Sequence, residues 1–286
     1  MRNLEIKRPR YFINSLSKGL TALQAFGEAG HPLTLSEIAK ALRANNTTAT
    51  RLCYTLAELG FIQKDGQRRY HLTPKILTLG HSYISGLAWQ EVAQFYLDAL
   101  FKDVQETVNL SILEDSEIIY LHRIRKREYL PFDIRIGTKL PVYCTAMGKV
   151  LMAMGPPEKV KPILKALEFK PLTHRTITSL DKFMDELEKV CKKGYAINDE
   201  ELSIGNRAVA APIVDKNGHA VAAINIAVPT TAYTRSQMEK VLTPRVIKTA
   251  HEISEALIKM EAPLVMEGSS RTKLEKSKTL MDRKVG

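Results

Sequence analysis

The segment NNTTATRLCYTLAELGF, residues 45–61, constrains the fold most because it predicts a helix with two chemically different faces. At roughly 100° per residue, the apolar side chains gather on one face: Ala49, Leu52, Cys53, Leu56 and Leu59. The opposite face carries Thr47, Thr50, Arg51, Tyr54 and Glu58. A solvated face usually collects Lys and Glu, so these hydroxyl and aromatic side chains indicate contact with another molecule.

Two further helices are predicted before this segment. The first has an apolar stripe at helical spacing and glycines that predict its end: Leu16, Leu20, Leu23 and Phe26, then Gly27 and Gly30. The second begins at Thr34, because Thr34 and Glu37 match the capping-box pattern. A short turn then leads into the two-faced helix, which is predicted to end at Gly60.

A basic hairpin is predicted directly after the two-faced helix, with strands at 61–62 and 70–72 and a turn at Asp65 and Gly66. Three helices followed by a basic hairpin is the order of a winged helix-turn-helix, whose recognition helix enters the major groove of DNA. The side chains predicted to contact DNA are Thr47, Thr50, Arg51, Tyr54, Lys64, Arg68 and Arg69. Thr47 as an N-cap and Cys53 as a small core residue are alternative structural roles.

The positive charge of the chain is concentrated at its two ends. Residues 1–80 hold 12 Lys and Arg against 5 Asp and Glu, whereas residues 81–261 hold 24 against 23. A basic N-terminal module suits a polyanion such as nucleic acid. A solvated basic surface and a general nucleic-acid-binding protein are the alternatives. The module has no interleaved row of aromatic side chains, which favours double-stranded DNA over RNA.

The sequence indicates neither a membrane span nor a metal site. No apolar run approaches the roughly 20 residues of a membrane helix, and the basic N-terminus lacks the apolar core of a signal peptide. We therefore predict a cytoplasmic protein with no membrane partner. Cys53, Cys144 and Cys191 are far apart and odd in number, so neither a disulfide framework nor a bound metal is predicted.

The rest of the chain predicts an α+β domain. The predicted elements are strands within 108–140, an extended segment that becomes a helix near Thr145, helices at 157–167 and 181–193, a hairpin turning at Asn217 and Gly218, and a helix at 235–260. This order differs from the βαβ pattern of a Rossmann fold. Without GxGxxG or a P-loop, no nucleotide cofactor is predicted. The helix start near Thr145 would offer backbone N–H groups to a carboxylate.

An enzyme acting on a small acid is the rival interpretation of this domain. Cys144 with His122 or His174 would then serve as nucleophile and base. However, no nucleophile elbow precedes Cys144, and the acids at 199–201 are typical of a solvated loop between strands. We therefore predict a binding domain that is not an enzyme.

Several separated motifs resemble the IclR family of bacterial transcription regulators. They are SLSKGLTALQAF, LTLSEIAKAL, TTATRLCYTLAELGFI and YHLTPKILTLG in the N-terminal part, then TAMGK at 145–149, YAINDEE at 195–201, GNRAVAAPI at 205–213 and AAINIA at 222–227. The resemblance covers residues 14–258. It implies a multidomain α+β fold with an N-terminal winged helix-turn-helix, a linker helix and a C-terminal GAF-like α+β effector-binding domain.

With this resemblance, the expected division of the chain is a basic arm at 1–13, a DNA-binding domain at 14–80, a linker helix at 81–96, a GAF-like domain at 97–260 and a basic tail at 261–286. The composition of the tail predicts disorder. The resemblance further implies a homodimer or homotetramer that binds double-stranded operator DNA.

The resemblance also implies an effector pocket in the large domain. By the family pattern it is lined by Ala146, Met147, Asn198, Asn206, Ala208, Asn225 and Ala227. The family commonly has an acid where Asn198 stands, a cysteine where Ala208 stands, and hydroxyl residues at 225 and 227. The neutral and small replacements predict a roomier, less acidic pocket for an anionic ligand. A turn cap at Asn198 and plain strand packing at the alanines are the alternatives.

One group of motifs narrows the resemblance to a branch of the family. GTKLPVYCTAMGKVL, DEELSIGNRAVAAPI and VAAINIA are most similar to regulators of aromatic-acid breakdown through the β-ketoadipate pathway. The sequence thus predicts a sequence-specific DNA-binding transcriptional regulator. Its operator binding or activity is expected to respond to a small carboxylic acid, either aromatic or dicarboxylic.

Overall fold

The computed structural model describes residues 10–87, 89–126 and 134–260. The predicted tail at 261–286 and residues 1–9 of the predicted arm lie outside the described residues. The chain divides into two compact units between Ser85 and Gly86. We call them the small unit and the large unit.

The small unit combines helices with a two-stranded antiparallel sheet. Its elements are α1 (Asn14–Ala29), α2 (Leu35–Ala41), α3 (Asn46–Glu58), β1 (Ile62–Lys64), β2 (Tyr70–Leu72) and α4 (Ile76–Ser85). Thr34 and Glu37 form the predicted capping box at the start of α2. The cap of α3 is Asn45, whose side-chain oxygen accepts a hydrogen bond from the Thr48 N–H at 2.9 Å. Thr47 is therefore not the N-cap.

The core of the small unit differs from the apolar stripe predicted for α1. Ala22, Ala25 and Phe26 are buried, whereas Leu16 is 60% and Leu20 is 52% exposed. The alanine side chains allow α1 to pack closely through a face that points away from the two leucines. On α3, Leu59 was predicted on the buried face but is exposed, since the helix ends one residue earlier.

The large unit is built on a six-stranded antiparallel sheet with the order β5-β4-β3-β8-β7-β6. Its elements are α5 (Trp89–Val104), β3 (Thr107–Glu114), β4 (Glu117–Ile124), β5 (Lys139–Pro141), α6 (Ala146–Met154), α7 (Pro157–Ala166), α8 (Leu180–Lys193), β6 (Ala196–Asp199), β7 (Asn206–Val214), β8 (Ala220–Pro229), α9 (Arg235–Val241) and α10 (Thr243–Lys259). A short 3-10 turn at Val142–Cys144 precedes α6. Strands joined by hairpins and covered by helices confirm the predicted α+β fold.

The two faces of the sheet carry different side chains because successive strand residues alternate in direction. One face is rich in branched aliphatic residues and packs with α5 and α10: Val108, Leu110, Val209, Ile213, Ile224 and Ile226. The other face is rich in alanine and packs with α6: Ala208, Ala210, Ala223 and Ala227. The small side chains of this face leave a cavity beside α6.

Three predicted elements differ from the structure. Within the region 108–140, where strands are predicted, residues 134–137 are not a strand and residues 127–133 lie outside the described residues; the edge strand β5 forms at Lys139–Pro141. The predicted helix at 235–260 is two helices, because Pro244 has no N–H to continue the hydrogen bonding of α9. The predicted linker helix at 81–96 spans the end of α4 and the start of α5, with non-helical backbone at Gly86.

Candidate functional site

Helix α3 presents the polar face that the sequence predicts. Its buried residues are Ala49, Cys53 and Leu56. Its exposed residues include Thr47, Thr50, Arg51 and Tyr54, and the Tyr54 side chain is 68% exposed. Side chains that can donate to phosphate oxygens or base edges therefore occupy one continuous surface of this helix.

The hairpin that follows α3 is held by its turn and by the loop before α2. The Asp65 carboxylate accepts a hydrogen bond from the Arg69 N–H at 2.9 Å. The Arg69 guanidinium donates to the Pro32 carbonyl oxygen at 3.3 Å. Arg68, which has a φ of 61°, and Lys64 are exposed. Arg69 therefore positions the hairpin, while Lys64 and Arg68 present their charges to solvent.

A cavity lies between the alanine-rich face of the sheet and the start of α6, and we call it the sheet pocket. Its volume is ≈ 490 Å³ when the space at its mouth is included. Its lining residues are Asn109, Tyr120, Arg123, Ile134, Thr145, Ala146, Asn198, Leu202, Asn206, Ala208, Asn225 and Ala227. The structure thus brings together six of the seven residues predicted to bind an effector. The seventh, Met147, is buried, and its sulfur accepts a hydrogen bond from the Ser111 hydroxyl at 3.2 Å.

Arg123 lines the sheet pocket although the sequence did not single it out. In a regular strand, Arg123 and Tyr120 would point to opposite faces, since they are three residues apart. A β-bulge interrupts β4: Tyr120 pairs with Ser111, whereas His122 pairs with Leu110. The extra residue reverses the alternation, so both Tyr120 and Arg123 face the pocket.

Arg123 belongs to a row of polar side chains on three neighbouring strands. Asn109 on β3 lies directly opposite Arg123 on one side and Asn225 on the other. Arg123 Nη1 donates to Asn109 Oδ1 at 3.1 Å, and Asn109 Nδ2 donates to Asn225 Oδ1 at 2.7 Å. This row of three polar side chains depends on strand register, which the sequence alone did not reveal.

Asn198 ties the start of α6 to the loop after β6. Its Nδ2 donates to the Cys144 carbonyl oxygen at 3.0 Å, and its Oδ1 accepts from the Glu201 N–H at 2.9 Å. Thr145 caps α6 by accepting from the Gly148 N–H at 3.1 Å. Asn198 therefore positions two walls of the sheet pocket and caps the loop after β6.

A buried lysine lies on α6, next to the loop after β6 that Asn198 caps. Lys149 on α6 is 1% exposed, and its ammonium donates to Glu201 Oε1 at 2.5 Å and to the Ile197 carbonyl oxygen at 3.0 Å. A third contact joins it to Glu186 on α8 at 3.3 Å. Burial raises the pKa of the Glu201 carboxyl above its ordinary value, and the Lys149 charge opposes that rise. The cluster connects α6, α8 and the loop after β6.

Comparison with known proteins identifies the family. Residues 15–66 match the IclR helix-turn-helix domain, and residues 81–255 match the domain described as bacterial transcriptional regulator IclR C-terminal. The chain belongs to the IclR family. The resemblance, the two-domain fold and the class of DNA-binding transcriptional regulator predicted from the sequence are thereby confirmed.

Individual relatives match this IclR-family chain over most of its length. The Pca regulon regulatory protein of Pseudomonas putida is 33% identical over 247 residues, which cover 86% of this chain and 84% of that protein. The crystal structure of a transcriptional regulator from Rhodococcus sp. RHA1 has a TM-score of 0.74 at 36% identity and covers 87% of this chain and 100% of its own. An IclR homolog from Microbacterium hydrocarbonoxydans, crystallised with 4-hydroxybenzoate, shares the fold at 20% identity and a TM-score of 0.72, covering 85% of this chain and 98% of its own.

Cys144, the candidate nucleophile of the rival enzyme, is buried at the start of the IclR-type α6. Burial, followed by the nearby Glu201 charge, raises the pKa of its thiol to about 12. The Cys144 thiol donates a weak hydrogen bond to the Pro141 carbonyl oxygen at 3.6 Å. Burial also lowers the pKa of His122. A thiol held in its protonated form is a poor nucleophile at neutral pH.

The described ranges contain neither a metal-binding cluster nor a membrane-spanning helix. Residues 10–87, 89–126 and 134–260 contain no group of three or more His, Cys, Asp or Glu side chains that could bind a metal ion. Within the same ranges, no helix has the length and apolar character needed to cross a bilayer.

Proposed function

We propose that this IclR-family regulator binds a specific operator through α3 and its hairpin and responds to a small carboxylic acid in the sheet pocket. One observation carries the proposal: a pocket with Arg123 and four asparagines in its lining occurs in a chain that also has a winged helix-turn-helix. An arginine beside amide groups suits a carboxylate, which accepts several hydrogen bonds at once.

In the proposed complex, α3 lies in the major groove and the hairpin contacts the DNA backbone. Thr47, Thr50, Arg51 and Tyr54 would face base edges and nearby phosphates. Lys64, Arg68 and Arg69 would lie along the backbone, where cations add affinity without adding sequence preference. The exposure of both surfaces supports these assignments. Of the seven residues, Arg69 would act mainly by positioning the hairpin, since its guanidinium binds the Pro32 carbonyl oxygen.

We expect Arg51→Ala to weaken operator binding by roughly 1–3 kcal/mol, because an arginine on a recognition helix bonds a base edge or a phosphate. The operator would first be selected from random duplex DNA, and binding would be followed by fluorescence anisotropy. Lys64→Ala is the matched comparison, since a backbone contact should weaken operator and non-operator DNA alike and flatten the salt dependence. An unchanged ratio of operator to non-operator affinity in Arg51→Ala would remove Arg51 from base recognition.

The proposed effector is a small acid, and the proposed working unit is a homodimer or homotetramer in the cytoplasm, where bacterial chromosomal DNA is found. Paired small units would read two half-sites about one helical turn, or a multiple of it, apart. The acid would favour one arrangement of these units if it binds that arrangement more tightly. Similarity to the Pca regulon regulatory protein supports an acid from aromatic catabolism.

The raised pKa of Cys144 argues against the nucleophile that the rival enzyme would need, and we propose a sensor for the large unit. A thermal-shift screen against small carboxylic acids tests this. A true effector should raise the melting temperature with its concentration, because it binds the folded state. It should also change operator affinity by roughly 5- to 150-fold, the usual range of coupling between two sites. Chromatography should recover the acid unchanged after incubation; consumption of the acid would favour the rival enzyme, and no response to any acid would exclude an acid effector.

A further inference from the structure

Two arginines of the small unit have a left-handed backbone conformation. Arg43, in the turn between α2 and α3, has a φ of 47°, and Arg68, in the hairpin turn, has a φ of 61°. They are the only non-glycine residues with a positive φ among residues 10–87. The Cβ atom of an L-residue makes this conformation unfavourable, whereas glycine adopts it readily. An arginine at either position therefore costs stability that a glycine would not.

The turn that ends α2 fixes the conformation of Arg43. The Arg43 N–H donates to the Lys40 carbonyl oxygen at 3.1 Å. The Ala44 N–H donates to the Ala39 carbonyl oxygen at 3.0 Å. These two bonds form a Schellman motif, which places the residue after the C-cap in the left-handed region. The same pair of bonds ends α3, but there Gly60, with a φ of 72°, takes the left-handed position.

The hairpin turn fixes the conformation of Arg68 in a comparable way. The Arg68 N–H donates to the Asp65 carbonyl oxygen at 3.1 Å, and the Asp65 N–H donates to the Arg69 carbonyl oxygen at 2.8 Å. The hairpin between β7 and β8 has the same two bonds, starting at Asp215. Its left-handed residue is Gly218, with a φ of 79°. The chain therefore uses glycine in the matching turn of the large unit and arginine in the turn of the small unit.

No contact within the described part of the chain accounts for the two arginines. Both side chains are exposed. Neither guanidinium forms a hydrogen bond or an ion pair with another described residue. The backbone cost at Arg43 and Arg68 is thus not offset by an internal interaction of the side chain, which indicates that their charges act on another molecule.

The positions of the two arginines relative to α3 suit the DNA backbone. Arg43 comes two residues before Asn45, the cap of α3, and Arg68 lies in the hairpin that follows α3. When a recognition helix occupies the major groove, the helix before it crosses the DNA backbone, so the turn that joins them lies near phosphates. A guanidinium group can donate two parallel hydrogen bonds to one phosphate. Phosphate oxygens are therefore suitable partners for both side chains.

We infer that Arg43 and Arg68 are phosphate-binding residues that flank α3, at positions where glycine would make the fold more stable. This inference rests on the proposed function, in which α3 lies in the major groove, and it adds Arg43 to the residues that bind DNA. Phosphates carry no sequence information, so the two arginines contribute affinity and the placement of α3 instead of the choice of bases. Because backbone hydrogen bonds close both turns, each arginine extends from a fixed point.

The test measures binding of the full-length protein to operator and non-operator duplex DNA at several salt concentrations by fluorescence anisotropy. The variants are Arg43→Gly, Arg68→Gly and Arg43→Lys. Glycine removes the charge and fits the left-handed backbone, whereas lysine keeps the charge. Lys216→Gln is the matched control, because Lys216 is an exposed cation in the corresponding hairpin turn of the large unit.

We expect each glycine variant to bind both DNAs roughly 10-fold more weakly, the usual effect of losing a hydrogen bond between charged groups. The ratio of operator to non-operator affinity should not change. The slope of log K against log salt concentration should fall by about 0.9, which is the contribution of one phosphate. Arg43→Lys and Lys216→Gln should keep the wild-type slope. In urea, followed by circular dichroism, Arg43→Gly should unfold at the same or a higher concentration than the wild-type protein.

Three results would overturn this inference. One is a wild-type salt slope in Arg43→Gly, and another is a slope in Arg43→Lys as low as that of Arg43→Gly, since the charge would then not be the feature that binds. The third is a lower urea midpoint for Arg43→Gly, which would assign Arg43 to the fold. If the wild-type protein shows no preference for any operator, the proposed function is wrong, and the salt slopes on non-operator DNA still decide this inference.

Discussion

Replacing Lys149 with methionine is expected to destabilise the large unit by about 3–5 kcal/mol, the usual effect of removing one partner of a buried ion pair. Methionine retains most of the side-chain volume, so the loss comes from the Glu201 carboxylate, whose side chain is 10% exposed and would lose its ammonium partner. Trp89 is the only tryptophan of the chain and is buried in the large unit. Its fluorescence in a urea titration therefore reports the unfolding of that unit.

The destabilisation caused by Lys149→Met should shrink as the pH is lowered from neutral. Burial already raises the pKa of Glu201, and removal of the Lys149 charge removes a cause that lowers it. A carboxyl whose pKa is higher in the folded state binds a proton on folding, so its penalty is greatest above that pKa and is lost below it. Adding Glu201→Gln should recover part of the stability at neutral pH, because no buried carboxylate is then left unpaired.

Lys192→Met is the control for Lys149→Met. Lys192 also pairs with a glutamate, but both side chains of the Lys192–Glu188 pair are largely exposed. Pairs of this kind contribute little in water, so the unfolding midpoint should not change. Equal midpoints for Lys149→Met and the wild-type protein at neutral pH would show that the buried cluster does not stabilise the fold.

Gly148→Ala is expected to destabilise the large unit by about 3 kcal/mol, which is at the upper end for an overpacked core site. A Cβ atom on Gly148 would clash with the Cα and carbonyl oxygen of Val142 and with the Thr145 hydroxyl. Backbone atoms cannot move aside as a flexible side chain can, so the 3-10 turn and the N-cap of α6 would have to shift. Trp89 fluorescence in urea measures the effect, and acid binding should weaken as well, since Thr145 and Ala146 line the sheet pocket.

Gly19→Ala is the matched control, because Gly19 lies inside α1 and a Cβ there would meet nothing within 4 Å. In a helix interior, this exchange normally stabilises by roughly 0.5–1 kcal/mol. The small unit should therefore unfold at the same or a higher urea concentration, as followed by circular dichroism. If Gly148→Ala behaved like Gly19→Ala, a close approach of α6 to the preceding turn would not be required for stability.

The sequence predicted the small unit well because its signals are local. The capping box at Thr34, the polar face of α3 and the hairpin turn at Asp65 each depend on residues a few positions apart. The predictions were wrong where tertiary packing decides which face of a helix is buried. The leucines of α1 fit a helical stripe, yet Ala22 and Ala25 provide the face that the other helices bury.

In the large unit, the family pattern brought most of the pocket residues to attention, but it did not reveal Arg123. The position of Arg123 depends on a bulge and on pairing with Asn109, which is 14 residues earlier in the chain. A prediction from sequence assumes that the side chains of a strand alternate regularly between its two faces. A single extra residue therefore reverses the predicted face of every later residue in the strand. Asn198 also does more than line the pocket, because both ends of its amide bind backbone groups of the protein.

The bulge in β4 makes the lining of the sheet pocket depend on strand geometry as well as on residue identity. If β4 kept all its residues but had no bulge, regular alternation would place Tyr120 and Arg123 on opposite faces, and the guanidinium would turn towards the aliphatic face that packs with α5 and α10. Loss of one residue between them would instead leave the two side chains two positions apart and both on the pocket face. This wall of the pocket therefore tolerates a deletion in the strand, whereas a change that straightens the bulge at constant length would invert it although no lining residue had been substituted.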